Sequence, residues 1–552
     1  MAAPLGVRSV HRVVGRQYPD EDAPRFCLGV VFGWAGQMRP PWGEPERAAL
    51  AAQLDALAAA TPGGRPLLLT TSNPPIPGDD CWLTVTPDPG VVEINSAPCP
   101  DGVSFLDHLR AIYAAATSAG LSPRRLRFHG EVTDSGGGGQ LTLGGPTPED
   151  SPFFVHPALL PRLVRYVNDH PSLSYWFLGD CAGAASQSPR ADEGVRERWE
   201  ELRLATRTLE RLADSDVTPD LLWRTLAPLL VDASGNSHRA ELNVEKLWSP
   251  HLGQRGRMGV VELRAFQMPA TPEQLAAAAA LVRAVAARCA LAPYESPARR
   301  GDEARPGDML DWGAELHDRM ALPVYLRADL EWVLRDLDAH GVGLGAVLEA
   351  LAVSYRQPAL WTGAPWPGVA VTLSRALEFW PLLGDTASQE GRTSRLVDAS
   401  SERLELRIEM SDELAPPTIT AGGGPRATDR PLAPVLAAQR DGRATWIVGV
   451  RRRVYLPEPG LHPAIAALDP LELRVVHAAR VLTLRLFGWK PDGGPYDGVP
   501  ADAEEAARRR AARLVATVTS LAADGDGYGR ADTAPEPGDP AGPCTVDLRD
   551  PP

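Results

Sequence analysis

Hydrophobic and polar positions along this chain follow two different periods, and the change falls near residue 356. Before it, apolar residues recur mostly at helical spacing, which predicts helices over Glu44–Ala60, Ser104–Ala119, Pro157–Asn168, Asp192–Ala213 and Pro219–Leu229. More follow over Trp312–Met320, Ala328–His340 and Leu344–Tyr355. Thr271-Pro272-Glu273-Gln274 reads as a helix start, with an N-cap threonine and proline at the first position. Strands are expected in RFCLGVVFGW, at Pro66–Thr70, and twice in WLTVTPDPGVVEINSAP around turn residues Pro87–Gly90. One more short strand lies inside the glycine-dense stretch Asp134–Phe153. After residue 356 the runs GVAVTL, RLELRIEM, PTITA, ATWIVGVRRRVYL and ELRVVHAARVLTLRLFGW read as strands. A polar helix over Ala501–Leu521 closes that region, and the Gly/Asp/Pro-rich residues 523–552 read as disordered.

Strands and helices do not alternate regularly, so a doubly wound parallel sheet is not indicated. The expectation is α+β: a core over residues 1–355 whose largely antiparallel sheet carries helices on one face, then a β-rich region over 356–522. The other face of the core sheet is expected to stay free and line a cavity.

The stretch Val231–Ala270 holds the candidate chemistry. Side chains alternate along a strand, so Arg239, Glu241, Asn243 and Glu245 would share one side of a first run, followed by a turn over Gly253–Gly259. Glu262 and Arg264 would share one side of a second run, with Val261, Leu263 and Ala265 opposite. In VVEINS, Glu93 and Asn95 face one way and Val92 and Ile94 the other. Such a strand is also what a sheet half exposed to water looks like. If the three runs share a sheet, however, their carboxylates repel unless a cation sits among them. Mg²⁺ prefers oxygen ligands and substrate phosphates, and a neighbouring arginine suits a phosphoryl oxygen, so a metal and phosphate site is the expectation.

Composition narrows the classes. A net charge of −14 argues against a nucleic-acid surface, which needs a clustered basic footprint. Only Lys246 and Lys490 are lysines among the basic residues. Six cysteines without CxxC spacing read as reduced thiols of a cytoplasmic protein. No signal peptide is read at the N-terminus, and the apolar helix Leu275–Ala292 reads as too short and too polar to span a bilayer. The run Gly136–Gly139 could admit a phosphate near the backbone, but it lacks the Walker pattern and is equally a turn. There is no GxSxG or HExxH, which leaves a hydrolase without an activated nucleophile. His238 and His317 sit beside charged residues and read as structural hydrogen-bonding histidines ahead of catalytic ones; Asp192 and Glu193 suit a helix N-terminus.

The strings TPDPGVVEIN, GGGGQLTLGGPTPEDSPF, HPSLSY, GAASQSPRADE, GNSHRAELNVEKLWSP, GVVELRAFQMP, ELHDRMALP, ALEFWPLLG, GLHP and GGPYDGVP, in that order over about residues 79–510, resemble a family of bacterial amidoligases. Its members usually form the C-terminal part of proteins that begin with a transglutaminase-like domain, which this chain is read as lacking. The resemblance implies a glutamine synthetase-like curved antiparallel sheet and ATP-dependent joining of a carboxylate to an amine through an acyl phosphate. It implies ATP and Mg²⁺ (or Mn²⁺) as cofactors, with Glu93, Asn95, Glu241, Glu262 and Gln140 at the metal positions. Arg264 and Arg239 would be catalytic, and Arg190, Gln187, Ser186, His238, Lys246, Gly137 and Gly138 would contact nucleotide or substrate. Expected partners are a small-molecule or peptide substrate and a separately encoded transglutaminase-like or ATP-grasp protein, with no nucleic acid and no membrane. Gln140 stands where such ligases place a metal-binding histidine, while Val132 and Gln267 replace a histidine and an acid. Those departures open a second reading, a catalytically degenerate relative that binds nucleotide, peptide or a protein partner.

Overall fold

The computed structural model describes residues 27–35, 83–88, 91–96, 99–294, 308–520 and 537–550, except 119, 135–137, 146, 180, 386–394, 424–428, 455–460, 478, 494–495 and 540–541. The expected helix over 44–60 and strand over 66–70 lie outside the described residues, as does Gly137. The first sheet is six-stranded and antiparallel in every pairing. Its strands are β1 (Cys27–Ala35), β2 (Leu83–Asp88), β3 (Val91–Ser96), β6 (Gln140–Gly144), β7 (Leu242–Asn243) and β8 (Val261–Leu263), in the order β2-β3-β1-β6-β8-β7. A separate small ribbon pairs β4 (Arg124–Leu126) with β5 (Val132–Asp134).

Register fixes the faces, because residues directly opposed in an antiparallel pair project to the same side. Leu141 opposes Leu263 and Leu143 opposes Val261, and these four join Ile94 in one continuous apolar core. The helices Gly102–Ser118, Leu159–Asp169 and Pro272–Leu291 contribute Leu109, Leu163 and Leu281 to that core. Thr271 caps the last of these helices, its Oγ1 accepting the Gln274 N–H at 3.3 Å. Arg110 reaches from the first helix to Glu273 at 3.0 Å and ties the two together. By length and composition Pro272–Leu291 is apolar enough to cross a membrane, contrary to the sequence expectation. In the fold Leu275, Leu281, both valines and most alanines of this helix are buried in the core, while Leu291 at its end is exposed.

The opposite face of this sheet is not the free surface expected. Asn95, Gln140, Thr142, Asn243, Glu262 and Arg264 are all buried. The run around Glu241 is not one strand either: Ser237–Arg239 is a 3₁₀ turn, only Leu242–Asn243 pairs, and Glu245 opens the short helix Glu245–Trp248. Local side-chain hydrogen bonds produce this. Asn236 Oδ1 accepts the His238 N–H and Asn243 Oδ1 accepts the Glu245 N–H, giving the backbone an alternative to a ladder. The expected turn over Gly253–Gly259 is largely a 3₁₀ stretch, Pro250–Gly256. Trp312–Met320 contains only the helical turn Ala314–His317 and the 3₁₀ turn Arg319–Ala321.

The C-terminal half is β-rich. One sheet runs in order from β16 (Val435–Arg440) through β17 (Arg443–Arg453), β13 (Ser401–Ser411) and β10 (Val369–Arg375) to β9 (Trp361–Trp366), and a separate ribbon pairs β11 (Leu382–Asp385) with β12 (Arg395–Val397). A second runs in order from β15 (Arg430–Leu432) through β14 (Thr418–Gly422), β18 (Leu471–His477) and β19 (Arg480–Leu486) to β20 (Leu514–Ser520). Alternate residues Leu404, Leu406, Ile408 and Met410 meet Leu473, Val475, Leu482 and Leu484 in one core, so the sheets pack face to face. Two expectations fail here. The closing helix spans only Ala503–Arg513, because the β-branched run that follows pairs along its whole length with β19. Thr545–Asp547, expected in a disordered tail, forms β21 parallel to Gly449–Arg451.

Ion pairs join this half to the first. Buried Glu131 accepts from Arg513 at 2.6 Å and also pairs with Arg375. Burial alone would raise the Glu131 carboxyl, but Arg375 and Arg513 outweigh it and hold it well below the usual range.

Candidate functional site

The polar face of the first sheet brings several predicted residues into one row. Thr142 opposes Glu262, and Glu262 opposes Asn243. Gln140 lies two residues from Thr142 on the same strand and shares its face. Because Glu245–Trp248 turns back over the sheet, with the Met258 and Gly259 N–H groups bonding to the Lys246 and Leu247 carbonyls, the Lys246 ammonium lies over Glu262. Its Nζ donates to Glu262 Oε2 at 2.9 Å, and Arg264 Nη1 donates to Oε1 of the same carboxylate. Burial lowers the Lys246 pKa, and Glu262 opposes that shift.

The charge count of this cluster is informative. One acid, only 2% exposed, faces a lysine and an arginine. Two N–H donors in the cluster are buried without a hydrogen-bond partner: Arg264 Nε and Asn243 Nδ2. Such orphaned donors are uncommon in folded proteins, because each costs its full desolvation. Among the described residues the set therefore offers more donors than acceptors.

Glu241 lies elsewhere. It sits two residues before Asn243, and its carbonyl accepts the Arg264 N–H at 2.9 Å, but its carboxylate belongs to a second buried cluster. There Ser174 Oγ donates to Glu241 Oε2 at 2.5 Å and Arg190 Nη1 approaches the same oxygen at 3.9 Å. Burial raises the Glu241 carboxyl to about 7 despite Arg190, with Asp192 adding to the rise. Arg190 itself is fully committed: it holds Asp192 through Nε and Nη2 at 2.9 Å each, and donates to the Val167 and Asn168 carbonyls. Glu193 caps the Arg190 backbone N–H at 2.8 Å, accepts from the Tyr175 hydroxyl, and lies 3.2 Å from His317 Nε2. Sequence reasoning did not foresee Ser174, Tyr175 or His317 here. For Ser174 and Tyr175 the one signal was membership of HPSLSY, and for His317 its charged neighbours within ELHDRMALP, strings distant in sequence from GAASQSPRADE.

The remaining candidates scatter. His238 Nδ1 is 3.4 Å from Glu245 Oε2, and Ser237 Oγ donates to Oε1 of that carboxylate at 2.6 Å. Burial pushes Glu245 up, but these hydrogen bonds outweigh it and bring the carboxyl down to about 2. Arg239 is buried in the 3₁₀ turn beside them. Ser186 Oγ is spent on the Gly183 carbonyl at 2.8 Å, and Gln187 is exposed. Gly138 and Gly139 both take positive φ, and a Cβ on Gly139 would lie 2.6 Å from the Gln267 carbonyl carbon. That glycine is explained by close backbone packing, without a ligand. Glu93 pairs with Gly33 and Thr86, so β3 stands three strand spacings from β8, on the order of 14 Å. Its side chain lies outside the described residues. Asn95, on the same strand, is buried.

A Mg²⁺ or Mn²⁺ ion does not fit the described residues at Glu262. A metal needs several oxygen ligands at about 2.1 Å, whereas this carboxylate is held by two cationic side chains. Among the described residues no group of three or more His, Cys, Asp or Glu is placed to hold a metal. Phosphoryl or carboxylate oxygens match the chemistry of these donors, since they would supply acceptors to Arg264 Nε and Asn243 Nδ2. A cavity of about 320 Å³ lined by Glu200, Arg203, Leu204, Arg207 and Asp308 lies apart from these residues, its two arginines already paired with Asp308.

Comparison with known proteins places this geometry in context. A family model described as "Putative amidoligase enzyme (DUF2126)" matches residues 49–549. A search of curated proteins found no match.

Proposed function

The chain belongs to that amidoligase family, and from this premise we propose that it is a ligase joining a carboxylate to an amine, at the expense of ATP, on an amino-acid-like or peptide substrate. In this reading the six-stranded sheet is a glutamine synthetase-like scaffold and its polar face is the site. The observation that carries the proposal is the convergence of Lys246 and Arg264 on one buried carboxylate, with two donors left over.

ATP supplies a phosphoryl group that turns a poor leaving oxygen into a good one. The protein's share is to fix and neutralise oxygens that carry growing negative charge. Arg264 offers a planar fork of donors for a phosphoryl or carboxylate group, and Lys246 a compact charge beside it. Asn243 adds an amide donor from the neighbouring strand. Glu262 keeps both cations oriented toward the sheet face. No step is assigned to a metal at Glu262, because the described donors do not suit one.

The test is to incubate the purified protein with Mg·ATP and a library of acids and amines and to follow ADP release. Release that depends on both partners, and that Arg264→Met abolishes, is the expected result. Unchanged release in that variant would remove the assignment. A second reading, a degenerate relative that binds without turnover, draws on Gln140, neutral where a histidine is expected, and on Glu262 being doubly paired. Nucleotide binding without ADP release for any acid–amine pair is its signature.

A further inference from the structure

We infer that Glu262 is a built-in counter-anion, and that the ligand taken at Lys246, Arg264 and Asn243 is an oxyanion, phosphate or carboxylate, bound directly without a metal bridge. The inference rests on the ligase reading only for where the site lies; the binding itself follows from the donor set. Three features support it. Lys246 and Arg264 are both within hydrogen-bonding distance of the Glu262 carboxylate, which leaves the trio with a surplus positive charge. Arg264 Nε and Asn243 Nδ2 are buried donors without a partner, and both side chains belong to residues at least nine-tenths buried. Asn243 directly opposes Glu262 in the sheet, which sets its amide beside the same carboxylate.

A tetrahedral or planar oxyanion offers what these groups lack. It can accept from Arg264 Nε and Asn243 Nδ2 and take over one of the cations that Glu262 holds in its absence. Glu262 then competes with the ligand for Lys246 and Arg264, whereas a metal-binding glutamate would recruit it. The two roles predict opposite effects of neutralising this side chain, since charge-assisted hydrogen bonds are the strong ones and the carboxylate absorbs two of them.

The experiment titrates the full chain by calorimetry with inorganic phosphate in metal-free buffer, and separately with MgCl₂ alone. Phosphate is expected to bind the wild type, and Glu262→Gln to bind it roughly ten- to hundredfold more tightly. Lys246→Met, which keeps the Glu262–Arg264 pair, is expected to lose about tenfold or more. Magnesium alone should give no binding heat. If Glu262→Gln does not fold, Lys246→Met decides: an unchanged phosphate affinity overturns the inference. So does weaker phosphate binding in folded Glu262→Gln, or magnesium binding that this variant abolishes. Failure of the ligase assay for every acid–amine pair leaves these titrations intact, so the two proposals fail separately.

Discussion

Replacing Glu241 with glutamine removes a carboxyl that burial has raised from 4.5 to about 7, and the consequence for stability has a definite sign. Because the folded-state pKa lies above the unfolded one, the folded protein holds this proton to higher pH. Glu241 therefore costs little below about pH 4.5 and progressively destabilises the fold as pH rises through 7. At about 1.4 kcal/mol per pKa unit the full effect is roughly 3 kcal/mol, of which some 2–3 fall between about pH 5 and pH 8. Glutamine keeps an oxygen to accept from Ser174 Oγ but does not titrate. Many other groups titrate in the same range, so the informative quantity is the difference between variant and wild type. Urea unfolding of both proteins at about pH 5, 6, 7 and 8, with coincident transitions by two probes, supplies it. The Glu241→Gln protein should gain on the wild type steadily as pH rises. Parallel stability curves, or a gap that closes toward high pH, would refute the claim that Glu241 is an acid raised by burial in the fold.

The other predictions concern single contacts. Arg190→Ala leaves Asp192 and Glu241 buried without their cation and should cost about 3–5 kcal/mol in denaturant unfolding; Arg190→Lys should restore little, because lysine cannot make the two-pronged contact to Asp192. Gly139→Ala places a methyl against the Gln267 backbone at a left-handed φ and should lower the melting temperature by several degrees, while Gly102→Ala, with open space around it, should not. Glu131→Gln removes the charge that pairs with Arg375 and Arg513, though each keeps another partner (Glu402 and the Phe487 carbonyl), and is expected to raise proteolytic susceptibility where Ala503–Arg513 meets the first half, a change that limited proteolysis reads directly. Thr271→Ala should cost about 1 kcal/mol through loss of the helix cap.

Much of the fold was legible where a local rule and the tertiary environment agree. The cap at Thr271 forms as its Thr-Pro-x-Gln spelling requires, and the alternating run around Leu404–Met410 buries the residues it should. Glu262 and Thr142 share a polar face opposite Val261 and Leu263, as period-two alternation demands. Legibility ended where side chains compete with the backbone. Asn236 and Asn243 each accept a backbone N–H two residues on, so the Arg239–Glu245 run breaks into a turn, a two-residue strand and a helix start. It ended again at Arg513, where an alanine-rich helical start hides a β-branched run that pairs with β19. Lastly, alternation can place an acid on a face but cannot show which cation already holds it. Lys246 reaches Glu262 across a turn of 16 residues, and no spacing rule expresses that contact.

The same distinction separates what the family strings mark. HPSLSY, GAASQSPRADE and ELHDRMALP meet around Arg190, Glu193 and His317, where the Arg190 guanidinium and the Glu193 carboxylate are held by internal partners, although the Ser172 and Ser188 hydroxyls are buried without one. A guanidinium that binds two backbone carbonyls and an aspartate fixes the path of the chain between Val167 and Glu241, and has little left for a ligand. Around Glu262 the balance differs: among the described residues two cations share this acid, and Arg264 Nε and Asn243 Nδ2 have no partner. Unpartnered buried donors occur elsewhere in the fold, at Arg165, Arg403 and Trp446 among others, but at Arg264 and Asn243 they flank a carboxylate already shared by two cations. Unpartnered nitrogen donors beside Lys246, set against a guanidinium at Arg190 with every nitrogen engaged, are the physical reason to place the chemistry on the sheet face and the architecture beside it.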